Sequence, residues 1–407
     1  MEIKKVILII IMIANIGLVK AQYTAIPDID FEQALIDQGI DSENTLDGQV
    51  LTNDINTITT LNVSYGGIYS LEGIQDFSLL ETLYCHFNYI STLNLSNNLN
   101  LKNLYLYSNN LTILNLNSNI LLENLNCDYN QISNLGIQNC TNLTFLSCVD
   151  NLLNNLNLLN SPNLLHLNAS YNQMTSIDIS QNINLEVIVL SHNNITELSL
   201  DFHNDIRTVF CNNNNINTLN LDSNLALERL YCGQNNLVSL NLNNNTNLNV
   251  LSCTENNLNT LTIQNGTNNL LNGTYTIGPD TYNRFNSTNN PNLNCIFVDN
   301  AINSTTNWLS VDAISNFVET QTACGALTIP NYSIETKVRI YPNPTQSYFR
   351  LKTNATIKKV KLYNVLGKLI KTFKYQDTYM IDKIEKGVYL IMIETKKRNI
   401  TTNLIIN

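Results

Sequence analysis

The chain has 407 residues, 43% of them hydrophobic, enough for two or three domains and for a core that excludes wholesale disorder. Between Gln22 and Thr336, 4 Lys or Arg stand against 27 Asp or Glu, a net of −23; this excludes nucleic acid as a partner, because phosphate binding needs clustered cations. From Lys337 to Asn407 the balance reverses to 15 against 4, a net of +11, which marks a separate unit with a separate task.

The first segment reads as a signal peptide over residues 1–21. Lys4 and Lys5 give a basic start, Val6 to Val19 an apolar stretch, and Val19-Lys20-Ala21 a cleavage site before Gln22. The apolar stretch is short for a bilayer span. No later stretch is long and apolar enough, so no transmembrane anchor is expected after cleavage.

Residues 22–79 read as an N-terminal cap with an irregular first repeat. Asp30 to Asp37 has helical spacing and an acidic first turn. Ile58, Leu61, Val63, Ile68 and Leu71 then form an irregular coil. Asp41, Glu43 and Asp47 lack the EF-hand order of ligands and Gly, so this stretch is expected to be a solvated loop.

Residues 80–263 carry nine units in strict register, starting at Leu80, Leu101, Leu122, Leu143, Leu164, Leu185, Ile206, Leu227 and Leu248, each 21 residues after the last. Eight positions after each start stands Asn: Asn88, Asn109, Asn130, Asn151, Asn172, Asn193, Asn214, Asn235 and Asn256. The pattern L-x-x-L-x-C/L-x-x-N-x-L-x-x-L-x-L-x-x-N resembles the leucine-rich-repeat consensus, whose short parallel strands stack so that neighbouring coils close one continuous core. A single coil cannot bury its own Leu side chains; stacking at about 4.8 Å does. The Asn at the bend is expected to hydrogen-bond backbone where the strand ladder has ended, as scaffold and not as ligand site. The second half of each unit repeats the first in weaker form, as in Leu93-Asn94-Leu95, and predicts an extended segment on the far side instead of a helix. The fold class expected is mainly β: a leucine-rich-repeat solenoid of 21-residue coils with caps at both ends, followed by a small C-terminal β-sandwich.

Cys85, Cys127, Cys148, Cys211, Cys232 and Cys253 all fall on the inward slot five positions after the coil start, where other coils carry Leu106, Ala169 or Leu190. They read as a ladder of small buried hydrophobes, and Cys140 takes a second Asn slot. No metal site is expected, since paired His spacing is absent. His86, His166, His192 and His203 fall on different coils without a Ser or Cys nucleophile motif. Neither catalysis nor a cofactor is therefore expected.

Alternation turns the second, fourth and sixth residues of each coil outward along the concave strands. Those columns and the next position hold Tyr84, His86, Phe87, Tyr105, Tyr107, Tyr129, Phe145, His166, Tyr171, Phe210 and Tyr231, concentrated over residues 80–163. Exposed aromatics on a rigid sheet offer contact area at small entropic cost, and they are the candidate ligand-binding residues. Tyr also suits strands for stacking alone. Three roles stay open: binding or adhesion to a protein, capture of a polysaccharide by a glycan-binding module, and a structural surface coat.

Residues 264–325 lose the register and read as a C-terminal cap in which Cys295 and Cys324 flank Trp308 as a candidate disulfide. After a linker at 326–336, residues 337–407 show seven strand-like segments with turns between them, the pattern of a small sandwich. Three boxes stand out: Tyr341-Pro342-Asn343-Pro344, then Val360 to Lys368 with Tyr363, Asn364, Gly367 and Lys368, then Lys386 to Ile391 with Gly387 and Tyr389. In this order they resemble the type A sorting domain of the type IX secretion system of Bacteroidetes, departing from it in a last strand without Lys. The resemblance implies the type IX machinery as a partner. It also implies a protein secreted from, or held on the outer-membrane surface of, a Gram-negative bacterium.

Overall fold

The computed structural model describes residues 22–277, 279–327, 338–353, 356–395 and 399–407. The signal peptide read at 1–21 and residues 328–336 of the linker lie outside them. The chain divides into two compact units, residues 1–325 and 326–407.

In the first unit each coil contributes a three-residue strand, because its central Leu, Ile or Val turns inward while its neighbours turn out. The inward column pairs in register from Leu61 through Leu83, Leu104, Leu125, Leu146, Leu167, Ile188, Val209, Leu230 and Leu251 to Phe285, giving an 11-stranded sheet, parallel throughout. Every member of that column is buried. Each such side chain contributes roughly 1.5–3 kcal/mol of transfer free energy, which the stack as a whole realises and one coil alone would not. On the far side, Ile113–Asn115 pairs with Asn134–Gly136, and Ser239–Asn241 with Thr260–Ile263, both parallel. No helix forms between residues 80 and 263, as the alternating half-motif predicts.

The bends are held by Asn. Asn109 Nδ2 donates to Cys85 O and Leu106 O at 2.9 Å each, and its Oδ1 accepts from Ile90 N–H at 3.0 Å. One side chain thus ties its own coil to the preceding one, and the same pattern recurs at each buried Asn of the series, ending on Asn290. The residue before each of these Asn is left-handed, with φ between 52° and 61° at Phe87, Ser108, Tyr129, Asp150, Tyr171, His192, Asn213, Gln234, Glu255 and Asn289. A non-Gly residue there costs about 1–2 kcal/mol, and the Asn hydrogen bonds offset it. A second ladder crosses the far side, where Asn98, Asn119, Asn182, Asn224 and Asn245 donate to carbonyls of the preceding coil. Cys140 stands in that slot, its thiol 3.4 Å from Leu116 O.

At the N-terminal end, the helix Ile29–Asp37 (α1) starts at Asp28, whose Oδ1 accepts from Asp30 and Phe31 N–H while its Oδ2 accepts from Tyr69 and Ser70 N–H. The cap is thereby fastened to the first coil. The loop after α1 is solvated from Ser42 to Asp47, as expected, and differs only at Asp41, which is buried with its Oδ1 accepting from Glu43 N–H at 2.9 Å. Buried Glu32 accepts the N–H groups of Asp47, Gly48 and Gln49, which fixes the same loop from the helix side.

Residues 264–325 lose the 21-residue register as expected, yet the ladder continues through them. Leu251 pairs with Phe285 and Leu261 with Ile296, after steps of 34 and 35 residues in place of 21. The extra residues hold an antiparallel hairpin, Thr274–Ile277 with Asp280–Asn283. Beyond it the 21-residue step returns as Ile296 pairs with Phe317. Trp308 is buried with its ring stacked on Phe285 at 4.2 Å, and a disulfide joins Cys295 to Cys324 with Cα atoms 5.9 Å apart.

Among its described residues the second unit has seven strands in two antiparallel sheets, one holding Arg339–Tyr341, Tyr348–Lys352 and Tyr379–Met380, the other Leu369–Lys374, Ile357–Asn364, Gly387–Thr395 and Asn399–Ile406. Alternating Val360 and Leu362, Tyr389, Ile391 and Ile393, and Leu404 and Ile406 face its core with Phe349 and Phe373.

Candidate functional site

The aromatic residues of the outward columns are half-buried or exposed, and their rings meet because successive coils place the same position one rung apart. Six rings gather over the first coils. Tyr84 stacks on Tyr105 at 4.9 Å, His86 on Tyr107 at 4.3 Å, and Phe87 on Tyr65 at 4.6 Å. Edge contacts join the pairs: Tyr84 to His86 at 6.4 Å, and Phe87 to Tyr107 at 5.3 Å. Burial raises the pKa of Tyr105 and Tyr107 and lowers that of His86, so these groups are neutral near pH 7.

The other candidates are dispersed. Phe145 and His166 form a tilted pair at 6.3 Å; Tyr171 stacks on His192 at 4.1 Å and Phe210 on Tyr231 at 4.2 Å. Tyr129 has no ring partner among the described residues and is 56% exposed. Sequence reasoning missed Tyr65 and the neighbouring Tyr69–Tyr89 stack at 5.0 Å. The first coil carries one extra residue, so Thr60 pairs with Thr82 at a step of 22. Counting 22 back from Phe87 finds Tyr65, and that shift was the available signal.

The remaining chemistry of this unit is quiet. Ser64 Oγ lies 2.9 Å from His86 Nδ1, but among the described residues no carboxylate orients the other ring nitrogen. The ladder cysteines are all buried and free, and burial raises the thiol pKa to about 12 at Cys85, Cys211 and Cys253, far from a reactive thiolate. Among the described residues no group of His, Cys, Asp and Glu is placed to hold a metal, and no helix is long and apolar enough to cross a membrane.

In the second unit the three boxes are structural fasteners. Asn343 Nδ2 donates to Asn403 O at 2.9 Å and its Oδ1 accepts from Ile405 N–H at 2.8 Å, so Tyr341-Pro342-Asn343-Pro344 clamps the last strand. Asn364 Oδ1 accepts from Leu366 and Lys368 N–H, closing a hairpin turn in which Gly367 takes φ 80°, a value favourable to Gly. Tyr363 leads into that turn, and Tyr389, two residues after Gly387, is buried with its hydroxyl on Glu385 O at 2.7 Å.

The first unit is a leucine-rich-repeat-like β-solenoid. The functional domain of InlJ from Listeria monocytogenes, described as including a cysteine ladder, aligns with TM-score 0.54 at 16% identity over 95% of this chain and 99% of that one. An internalin (inlF) of the same organism aligns with TM-score 0.42 at 21% identity, over 73% of this chain and 95% of that one. A Leptospira interrogans LRR protein aligns with TM-score 0.40 at 19% identity, over 63% and 72%. Residues 339–407 match the secretion system C-terminal sorting domain. The chain thus joins a leucine-rich-repeat-like solenoid to a secretion-system sorting tail, which implies a secreted or cell-surface destination. Among curated proteins no sequence matches it.

Proposed function

We propose that this protein acts by binding, without catalysis, and that the six-ring cluster over the first coils takes a protein partner in adhesion or cell contact at the outer surface of a Gram-negative bacterium. The observation that carries the reading is the convergence of Tyr65, Tyr84, His86, Phe87, Tyr105 and Tyr107 on one rigid sheet face. Their side-chain entropy is already spent in ring-to-ring contacts, so docking a partner orders little more. Because Tyr84 and Tyr105 lie parallel within 6° and His86 and Tyr107 within 9°, the paired rings cover one another's faces. Sugar rings stack on open aromatic faces, whereas protein side chains pack against edges and hydroxyls as well, which favours a protein over a glycan.

The test is capture of surface proteins by the full chain, with a glycan array beside it. Replacing Tyr84, Tyr105 and Tyr107 together by Ser should abolish capture while circular dichroism stays unchanged. Undiminished capture by that folded variant would refute the assignment, and binding confined to the array would replace the protein with a glycan. For the tail, deletion of residues 337–407 should leave the protein in the periplasm; surface display after that deletion would refute its role as an export signal.

A further inference from the structure

Between Gln22 and Thr336 the cations are Lys102, Arg207, Arg229 and Arg284 alone, against 27 carboxylates. Three of the four converge at the far end of the ribbon. Arg229 pairs with Val250, and Leu251 pairs with Phe285, so Arg284 stands in the same outward column as Arg229, two rungs on. At about 4.8 Å per rung their backbones lie roughly 10 Å apart. Arg207 is already matched by Glu228 at 3.0 Å, and Arg284 Nη1 donates to Asn249 O at 3.1 Å. Arg229 is exposed, and among the described residues no carboxylate lies within ion-pair distance of it. Two positions along the same strand, Tyr231 stacks on Phe210, and its hydroxyl donates at 2.7 Å to that of Tyr275 on the inserted hairpin. The hairpin therefore folds back to meet the face beside the free guanidinium.

We propose that Arg229, supported by Arg284 and walled by the Tyr231–Tyr275 contact, is a binding subsite for the carboxylate of an Asp or Glu in a peptide segment, separate from the ring cluster at the other end. A guanidinium takes a carboxylate through two parallel N–H donors, and the adjacent aromatic edges exclude water from that contact. The parallel Phe210–Tyr231 pair covers its own faces, which disfavours a uronic acid stacked there. The net of −23 between Gln22 and Thr336 repels a polyanion, so the carboxylate recognised is an isolated one in a neutral or basic segment.

The test is calorimetric titration of the full chain with a short Ser- and Lys-containing peptide bearing one central Glu, with its Glu→Gln counterpart, and with oligogalacturonate. The Glu peptide should bind and the Gln peptide should bind about tenfold more weakly, the scale expected for loss of a charge-assisted pair. Arg229→Gln should reproduce that loss, Arg229→Lys should recover part of it, and Lys102→Gln should leave binding unchanged. No binding of the Glu peptide, equal binding of both peptides, or an indifferent Arg229→Gln variant with native circular dichroism would overturn the subsite. Binding of oligogalacturonate alone would overturn the peptide assignment. None of these outcomes touches Tyr84, Tyr105 or Tyr107, so failure here leaves the ring-cluster reading to its own test.

Discussion

Replacing Asn172 by Ala should destabilise the solenoid by about 1.5–4 kcal/mol, a value that follows from counting which buried groups lose partners. Asn172 Oδ1 accepts from Leu153 N–H at 3.0 Å, and its Nδ2 donates to Cys148 O at 2.9 Å, Ser170 O at 3.1 Å and Ala169 O at 3.3 Å. The three carbonyls have other donors: Cys148 O also accepts from Asn151 Nδ2, Ser170 O from Asp150 N–H and Ala169 O from Asn193 Nδ2. Only the Leu153 N–H is orphaned outright, at about 1–3 kcal/mol, and the weakened carbonyls add roughly 0.5–1 kcal/mol. Asn184 is the control, since it is exposed and donates only to Pro162 O at 3.0 Å; its Ala variant should stay within about 0.5 kcal/mol of the parent. Urea denaturation followed by tryptophan fluorescence reads this unit selectively, because the chain's single Trp, Trp308, is buried within it. An Asn172→Ala variant no less stable than Asn184→Ala would refute the view that these Asn residues hold the bends.

Thiol reagents at pH 8 should leave the seven free cysteines unmodified in the native chain and label them after denaturation, because burial keeps the ladder protonated. Replacing Cys324 by Ser opens a loop of 29 residues and should cost about 3–4 kcal/mol, read as a lower urea midpoint by Trp308 fluorescence. The pKa of buried His203 is depressed below its usual 6.5 by burial, so the unfolded chain binds the proton more readily. Stability should therefore be full above about pH 6.5 and fall as the pH drops through the folded value. His203→Asn, which restores the residue carried by that slot at Asn182 and Asn224, should flatten this slope, and an unchanged pH profile would count against it.

What was legible in the sequence is what repeats. A constant step of 21 fixes the rung of every residue from Leu80 to Ile263, so the inward Leu and Cys columns and the two Asn ladders follow there from counting alone. The seven strands of the tail follow likewise from alternation at Val360 and Leu362 or Ile391 and Ile393, where a slip of one residue would turn the core face outward. The ring candidates were legible as columns, but their grouping was not. Whether Phe145 meets His166, or Tyr129 stands alone, depends on ring rotamers that a spacing rule does not carry.

The two failures share one physical cause. A parallel ladder requires only that consecutive strands present the same face to one another; it sets no limit on the chain between them, and lengthening a surface loop costs little entropy. A step of 22 between Leu61 and Leu83, or of 34 between Leu251 and Phe285, leaves the stack intact while it erases the period from the sequence. Insertions survive where they do not interrupt buried columns, and here they lie at the two ends of the array. Tyr65 belongs to the coil with the extra residue at one end, and Tyr275 sits on the hairpin at the other. The irregular coils are therefore where this ribbon departs from uniformity, and both proposed contact regions include a residue from one of them.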